Sequence, residues 1–259
     1  MWSHKYCFNS TPLVRSDDAR GVLQAFLDWL EEKEYWHFRW PDIRTDGPFY
    51  LQLQQELTRR NTPAFIQQNH FRARFEAADS ADEFLRQNLS TSTRKEVLRL
   101  ERRFGETGEL CCAALCPTDD LNVWVDNFLE LEGSGWKGAN DTALGSDPKS
   151  TRFFREMASR LFRDRRLTML KLTLDDKPVA VNFALWGTKS GAYFKIAHCE
   201  AQRKYSPGRL LELNFIRWLH DFCSYEYIDS CAAPNHQMIE RMWGERQHMQ
   251  SFWIGARHQ

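Results

Sequence analysis

Apolar residues recur at helical spacing over residues 17–34, where Val22, Leu23, Phe26, Trp29 and Leu30 fall on one face. Ser16 or Asp17 stands where a cap belongs. Residues 36–40 alternate in the manner of a strand, and Gly47-Pro48 breaks the pattern. A second helix is expected over 49–61, with Leu51, Leu53 and Leu57 as its stripe, and short extended pieces over 65–75. Residues 80–104 read as a helix pair, the second helix spanning 92–103. The apolar run 109–116 predicts a buried strand, and 119–132 a helix with Val123, Trp124, Phe128 and Leu131 on one face. A polar loop follows over 133–150, then a helix over 152–163. Three strands are expected at 167–174, 178–186 and 191–198, joined by turns of hairpin composition at Asp175-Asp176-Lys177 and at 187–190. A basic loop at 202–209 leads into an apolar helix over 210–222, and then come a strand at 225–230, a helix at 235–243 and a strand at 249–255.

Strands that follow one another through short turns, with helices interspersed, predict an α/β (α+β) fold around a mixed, mostly antiparallel sheet. At 259 residues the chain makes one large domain or two small ones. The division expected is 1–104 and 105–259. Hydrophobic residues at 42% argue against a disordered chain. Equal numbers of basic and acidic residues, 35 each, argue against a DNA-packaging protein but leave room for a local phosphate site. No apolar run is long enough to span a bilayer, and no secretory signal is expected, since no apolar stretch follows Met1-Trp2-Ser3-His4-Lys5. The seven cysteines include no Cys-x-x-Cys pair, which fits free thiols in a reducing cytoplasm.

The stretch Gln202-Arg203-Lys204-Tyr205-Ser206-Pro207-Gly208-Arg209-Leu210 follows a strand and opens an apolar helix. Pro207 suits a helix start, and Gly208 lets another backbone come close. The unpaired N–H groups of a helix start attract an anion, and Arg203, Lys204 and Arg209 add three cations. On local physics the stretch is either a pyrophosphate cradle or an ordinary strand-to-helix turn with surface charge. The helix around 94–103 carries Arg94, Lys95, Arg99, Arg102 and Arg103, either as a solvated face or as a polyanion surface.

Strand, basic Gly loop, helix and strand in this order resemble the acyl-CoA core of the GNAT superfamily of acyltransferases. Gly-Trp-Lys-Gly at 135–138, Tyr-Ser-Pro-Gly-Arg-Leu-Leu at 205–211 and the late Asp229 are similar to its Fem-like, polysaccharide-biosynthesis type branch. The resemblance covers about residues 80–259. It implies a GNAT fold, with a degenerate second GNAT-like half at the N-terminus. The chain keeps Gly208 of the family's loop but has Leu210 where a second small residue is usual.

The resemblance implies an N-acyltransferase that uses acyl-CoA or acetyl-CoA as co-substrate. The donor would lie between strands 191–198 and 225–230, held by residues 203–210. Backbone N–H groups near Ile196 and Ala197 would polarise the thioester carbonyl. An amine, or a hydroxyl, on a small molecule, peptide or sugar would attack directly. His198, Asp229 and Glu132 are the candidate bases, each with a structural alternative: a core histidine, an ion pair and a solvated helix end. Glu130, Trp136, Lys137 and His236 are the candidate acceptor contacts, against loop anchoring for Trp136 and helix capping for His236. A charged tRNA is the donor only under the Fem-like alternative, and a non-catalytic binding protein is the third reading. No metal is expected, since the chain has no metal-spaced His/Cys cluster, no Gly-x-Ser-x-Gly elbow and no Walker loop. A homodimer is left open.

Overall fold

The computed structural model describes residues 4–33, 35, 37–222, 225–234 and 236–255. The first part of the chain forms α1 (Ala19–Glu32), β1 (His37–Arg44), α2 (Pro48–Arg60), β2 (Ala64–Phe75), α3 (Ala81–Asn88), α4 (Thr91–Gly105), β3 (Leu110–Ala114) and α5 (Leu121–Ser134). A four-residue α6 (Trp136–Ala139), α7 (Pro148–Arg163), β4 (Leu167–Thr168), β5 (Leu170–Leu174), β6 (Lys177–Trp186) and β7 (Ser190–His198) follow. The chain ends with α8 (Pro207–Phe222), β8 (Tyr227–Asp229), α9 (Gln237–Met242) and β9 (Glu245–Gly255). Two compact units emerge: one from residues 1–73, 231–235 and 246–259, the other from 74–230 and 236–245.

In the first unit β1 runs antiparallel to β9, with His37 opposite Gly255 and Arg44 opposite Met249. Leu23, Leu27 and Leu30 of α1 and Phe49, Leu53 and Leu57 of α2 pack on Trp40, Ile43, Phe252 and Ile254. The expected stripes were partly misplaced: Val22, Trp29 and Leu51 are exposed, and Leu27 takes the inner position. Glu56 ties the two helices together. Its carboxylate accepts from Arg59 at 2.5 Å and from Arg60 at 2.7 Å, and Arg60 reaches on to Asp28 of α1 at 2.6 Å. The guanidinium of Arg59 holds Glu56 down at about 2.

In the second unit the strands run in the order β2, β8, β7, β6, β5, β3, with β4 also on β6. Arg74 and Phe75 close the end of β2 against β8, and β8 is parallel to β7. The others pair antiparallel. Asp175 and Asp176 both adopt left-handed backbone, φ 47° and 61°, as a tight hairpin between β5 and β6 requires. Ser80, Ser90 and Asp120 cap α3, α4 and α5 with their side-chain oxygens. Three expectations need correction. The run 109–116 is not buried: β3 pairs only with β5, and Cys111, Cys112 and Ala113 face solvent. Residues 65–75 form one strand, not short pieces. The 133–150 loop contains α6 and a single 3-10 turn at 144–146. Trp36, Cys223 and Asn235 lie outside the described residues.

Beneath β7 lies a polar cluster in an apolar core. Glu212 of α8 is fully buried and accepts from Trp243 Nε1 at 2.7 Å. Its second oxygen, the Tyr193 hydroxyl and the Asn182 amide nitrogen are buried without a partner among the described residues. Desolvation raises Glu212 to about 7 and keeps the Tyr193 phenol well above its ordinary value. A folded-state value of about 7 against 4.5 means that the native chain holds a proton the unfolded chain has lost. Stability therefore falls as pH rises from about 4.5 to about 7, by about 3 kcal/mol, and is then level. Glu212→Gln is expected to remove this slope, measured by urea unfolding at pH 5 and pH 8. An unchanged difference between the two pH values would place the titration elsewhere. Glu56 does not interfere, because its contribution is lost only in acid.

Candidate functional site

β7 and β8 pair at Ser190–Tyr227, Gly191–Ile228 and Ala192–Asp229, and pairing then stops. β8 ends at Asp229, whereas β7 runs on to His198 bonded only to β6. The edge of β7 beyond Ala192 is therefore open toward β8. Lys137 Nζ donates to the Ile196 carbonyl at 3.3 Å, which shows that Ile196 faces that edge. In a strand the N–H and C=O of one residue point the same way and alternate along the chain. The N–H groups of Ile196 and His198 thus turn to the open edge, while Cys199 N–H turns back to Val179 O at 2.8 Å.

A cavity of about 160 Å³ adjoins this edge, lined by Leu131, Glu132, Gly135, Lys137, Ile196, Ala197, His198, Glu200, His236 and Met238. Glu132, from the end of α5, is the electrostatic centre. Its Oε1 accepts from Lys195 Nζ at 2.8 Å and Lys137 Nζ at 3.3 Å, and its Oε2 accepts from Leu144 N–H at 2.7 Å. The carboxylate is fully buried. Burial, and then the Lys195 ammonium, depress the Lys137 amine, against the pull of Glu132. Lys195 was missed from the sequence. Its signal was a lone ammonium inside the apolar run Tyr193-Phe194-Lys195-Ile196.

Burial holds both His198 and His236 below the usual imidazole value, and Lys137 adds to it in each case. Both rings are therefore neutral near pH 7. Glu200 Oε1 lies 3.6 Å from His198 Nε2 and opposes the shift. The first turn of α8 lies against His198 and Met238: a Cβ at Gly208 would make ordinary contacts, 3.4 Å to His198 Nδ1 and 3.6 Å to Met238 Sδ.

The other expected residues divide. Residues 200–205 form a 3-10 turn, and Ser206 takes left-handed backbone, φ 52°, to start α8 at Pro207. The loop expected over 202–209 is thus a turn followed directly by a helix. Arg203 and Lys204 are exposed at this turn. Tyr205 stacks on Phe104 of α4 at 4.6 Å, and Arg209 pairs with Glu96 of α4 at 3.8 Å. Leu210 is in the core, so the bulk at this position fills space beneath the helix. Asp229 is buried at the end of β8, and Glu130 faces solvent on α5; neither lines the cavity. The side chain of Trp136 lies outside the described residues.

The second glycine of the Gly-Trp-Lys-Gly motif has a steric reason. A Cβ at Gly138 would stand 1.8 Å from the Gly133 carbonyl oxygen, which only a backbone shift relieves. Gly138→Ala is expected to displace α6 and pull Lys137 off Glu132. A fall in thermal midpoint, together with loss of the Lys137–Glu132 contact in a crystal structure, checks this; an unmoved Lys137 refutes it.

The open-edged parallel pair of strands, with a helix start and two imidazoles beside it, is the candidate functional site. The family model for the acetyltransferase (GNAT) domain matches residues 91–236, and the chain belongs to this family. Its fold is of the Fem-like type. The C-terminal domain (DUF2156) ascribed to a lysylphosphatidylglycerol synthetase from Agrobacterium fabrum superimposes with a TM-score of 0.63 at 12% identity, over 95% of this chain and 75% of that one. FemX gives 0.59 at 11%, over 94% and 79%, and a tandem GNAT protein from the clavulanic acid biosynthesis pathway gives 0.50 at 10%, over 95% and 72%. At these identities the likeness concerns the fold. No curated protein matches the sequence. Among the described residues no helix is long and apolar enough to cross a membrane, and no group of three His, Cys, Asp or Glu could hold a metal ion.

Proposed function

We propose that this GNAT-family acyltransferase moves an acyl group from acyl-CoA directly onto an amine, or a hydroxyl, of a small acceptor. The observation that carries the reading is that β7 continues past its ladder with β8 to His198, leaving its β8-side edge open beside the start of α8. The donor's pyrophosphate would rest at the first turn of α8, with Arg203 and Lys204 supplying positive charge. The thioester carbonyl would lie along β7, where the N–H groups of Ile196 and His198 stabilise the developing oxyanion. Neutral His198 takes the proton of the attacking amine as the new bond to the acyl carbon forms. The tetrahedral intermediate then collapses, the bond from carbon to sulfur breaks, and the thiolate takes up the proton that His198 received, relayed through the neutral ring of His236. Glu132 is an anchor in this scheme: it holds Lys137 and Lys195 against the edge and leaves their positive charge available to the oxyanion. The tandem GNAT relative supports treating residues 1–73, which precede the second unit and the family match, as the remnant of a second half.

A second reading draws the acyl group from a charged tRNA. It is favoured by Lys95, Arg99, Arg102 and Arg103, all exposed on α4, the helix that packs against the 200–205 turn through Phe104 and Tyr205. The test is release of free thiol from acetyl-, malonyl- and longer acyl-CoAs in the presence of a panel of amines. Amine-dependent release supports the first reading. No release from any thioester, with a salt-dependent tRNA complex, supports the second.

A further inference from the structure

The first unit holds a polar cavity of about 440 Å³ that plays no part in the scheme above, a size within the roughly 300–1,000 Å³ usual for small-molecule sites. Strand alternation puts Gln68, His70 and Arg72 of β2 on one face, and all three line it. Arg72 is buried and donates from Nη1 to the Phe8 carbonyl at 2.6 Å. Asp42 lines the cavity from β1. It gets there because the ladder with β9 slips between Trp40 and Ile43 and the Asp42 backbone turns left-handed, φ 45°. This turn is fixed by buried Ser251, whose Oγ accepts from Asp42 N–H at 2.9 Å and donates to Gln68 Oε1 at 3.2 Å. The remaining wall is Phe8, Asn69, Cys231, Ala232, Ala233 and Pro234, with the Asn69 side-chain oxygen already held by His248 and Gln250.

The charges select the ligand. A simple anion would meet Arg72 but be repelled by Asp42. A simple amine would meet Asp42 but be repelled by Arg72. His70 adds no charge near neutral pH, because burial, and then Arg72 and His248, push its imidazole down against the pull of Asp42. A molecule bearing a carboxylate and an ammonium a few bonds apart satisfies both poles, and the Phe8–Pro234 wall takes its side chain. We infer that this cavity binds a small zwitterion of the α-amino-acid class, its carboxylate toward Arg72 and its ammonium toward Asp42.

Binding is read without turnover, so failure here leaves the acyl-transfer reading untouched. The full chain is titrated calorimetrically with each of the common L-amino acids. The best binder is then compared with its des-amino acid and with its decarboxylated amine. The expected result is saturable binding of at least one amino acid, with both analogues at least about tenfold weaker. Asp42→Asn should cost the amino acid the same factor and strengthen binding of the des-amino acid, whose carboxylate Asp42 repels. Asparagine tolerates left-handed backbone, so this variant should fold; an unaltered thermal midpoint verifies it. No heat with any amino acid, equal affinity for the analogues, or an Asp42→Asn variant that binds like the parent would each overturn the assignment.

Discussion

Replacing His198 by alanine is expected to lower kcat by roughly 10²–10⁴-fold, the usual worth of a positioned general base. The ring ends the open edge of β7 and faces Gly208 at the first turn of α8. Only an imidazole that is neutral can take the proton of an attacking amine. Burial pushes His198 below its ordinary value, so it stays neutral at neutral pH and loses competence only as pH falls through that depressed value. The kcat profile of the parent should therefore show an acid limb below the usual imidazole range, and His198→Ala should lack it. The thioester's Kd should be unaffected, because the ring is not asked to hold the donor. A variant with parental kcat, or one whose loss is entirely in KM, would transfer the role of base to His236.

Glu132→Ala is expected to cost about 3–5 kcal/mol of stability, the usual penalty for breaking a buried charge cluster by removing one partner. Two ammonium groups, Lys137 and Lys195, would then share a small cavity without their carboxylate, and the Leu144 N–H would lose its acceptor. Urea unfolding measures this. Glu132→Leu combined with Lys137→Met and Lys195→Met should recover most of the stability, since replacing a whole buried ionic group by apolar side chains is often neutral. The triple variant should nevertheless transfer poorly, because no cation remains beside Ile196. Full activity in the triple variant would show that the lysines are structural.

Much of the fold was legible in local chemistry. The helices over 80–104 and 119–132 and the hairpin at 175–177 were expected from pattern and composition; the structure caps the helices with Ser80, Ser90 and Asp120 and gives Asp175 and Asp176 left-handed backbone. The long apolar face of 210–222 could only be a buried helix. The run Leu110-Cys111-Cys112-Ala113-Ala114 misled because small apolar residues also suit a sheet edge, and nothing local says how many neighbours a strand has. Within the site, His198, Lys137, Glu132 and His236 converge on one cavity, as do Ile196 and Ala197. The meaning of Glu132 was hidden, because its partner Lys195 lies 63 residues away. Tyr205 and Leu210 looked like donor contacts in a linear motif. In three dimensions one stacks on α4 and the other fills the core.

Calorimetric titration of acetyl-CoA into the native chain and into Arg203→Glu/Lys204→Glu tests the proposed donor site most directly. Both residues are exposed, so the double variant should fold like the parent. The prediction is saturable binding by the parent, weakened at least about tenfold in the variant, as expected when two favourable charges near a phosphate become two repulsive ones. Absence of binding to the parent, or equal binding by both proteins, would contradict an acyl-CoA pyrophosphate at the start of α8.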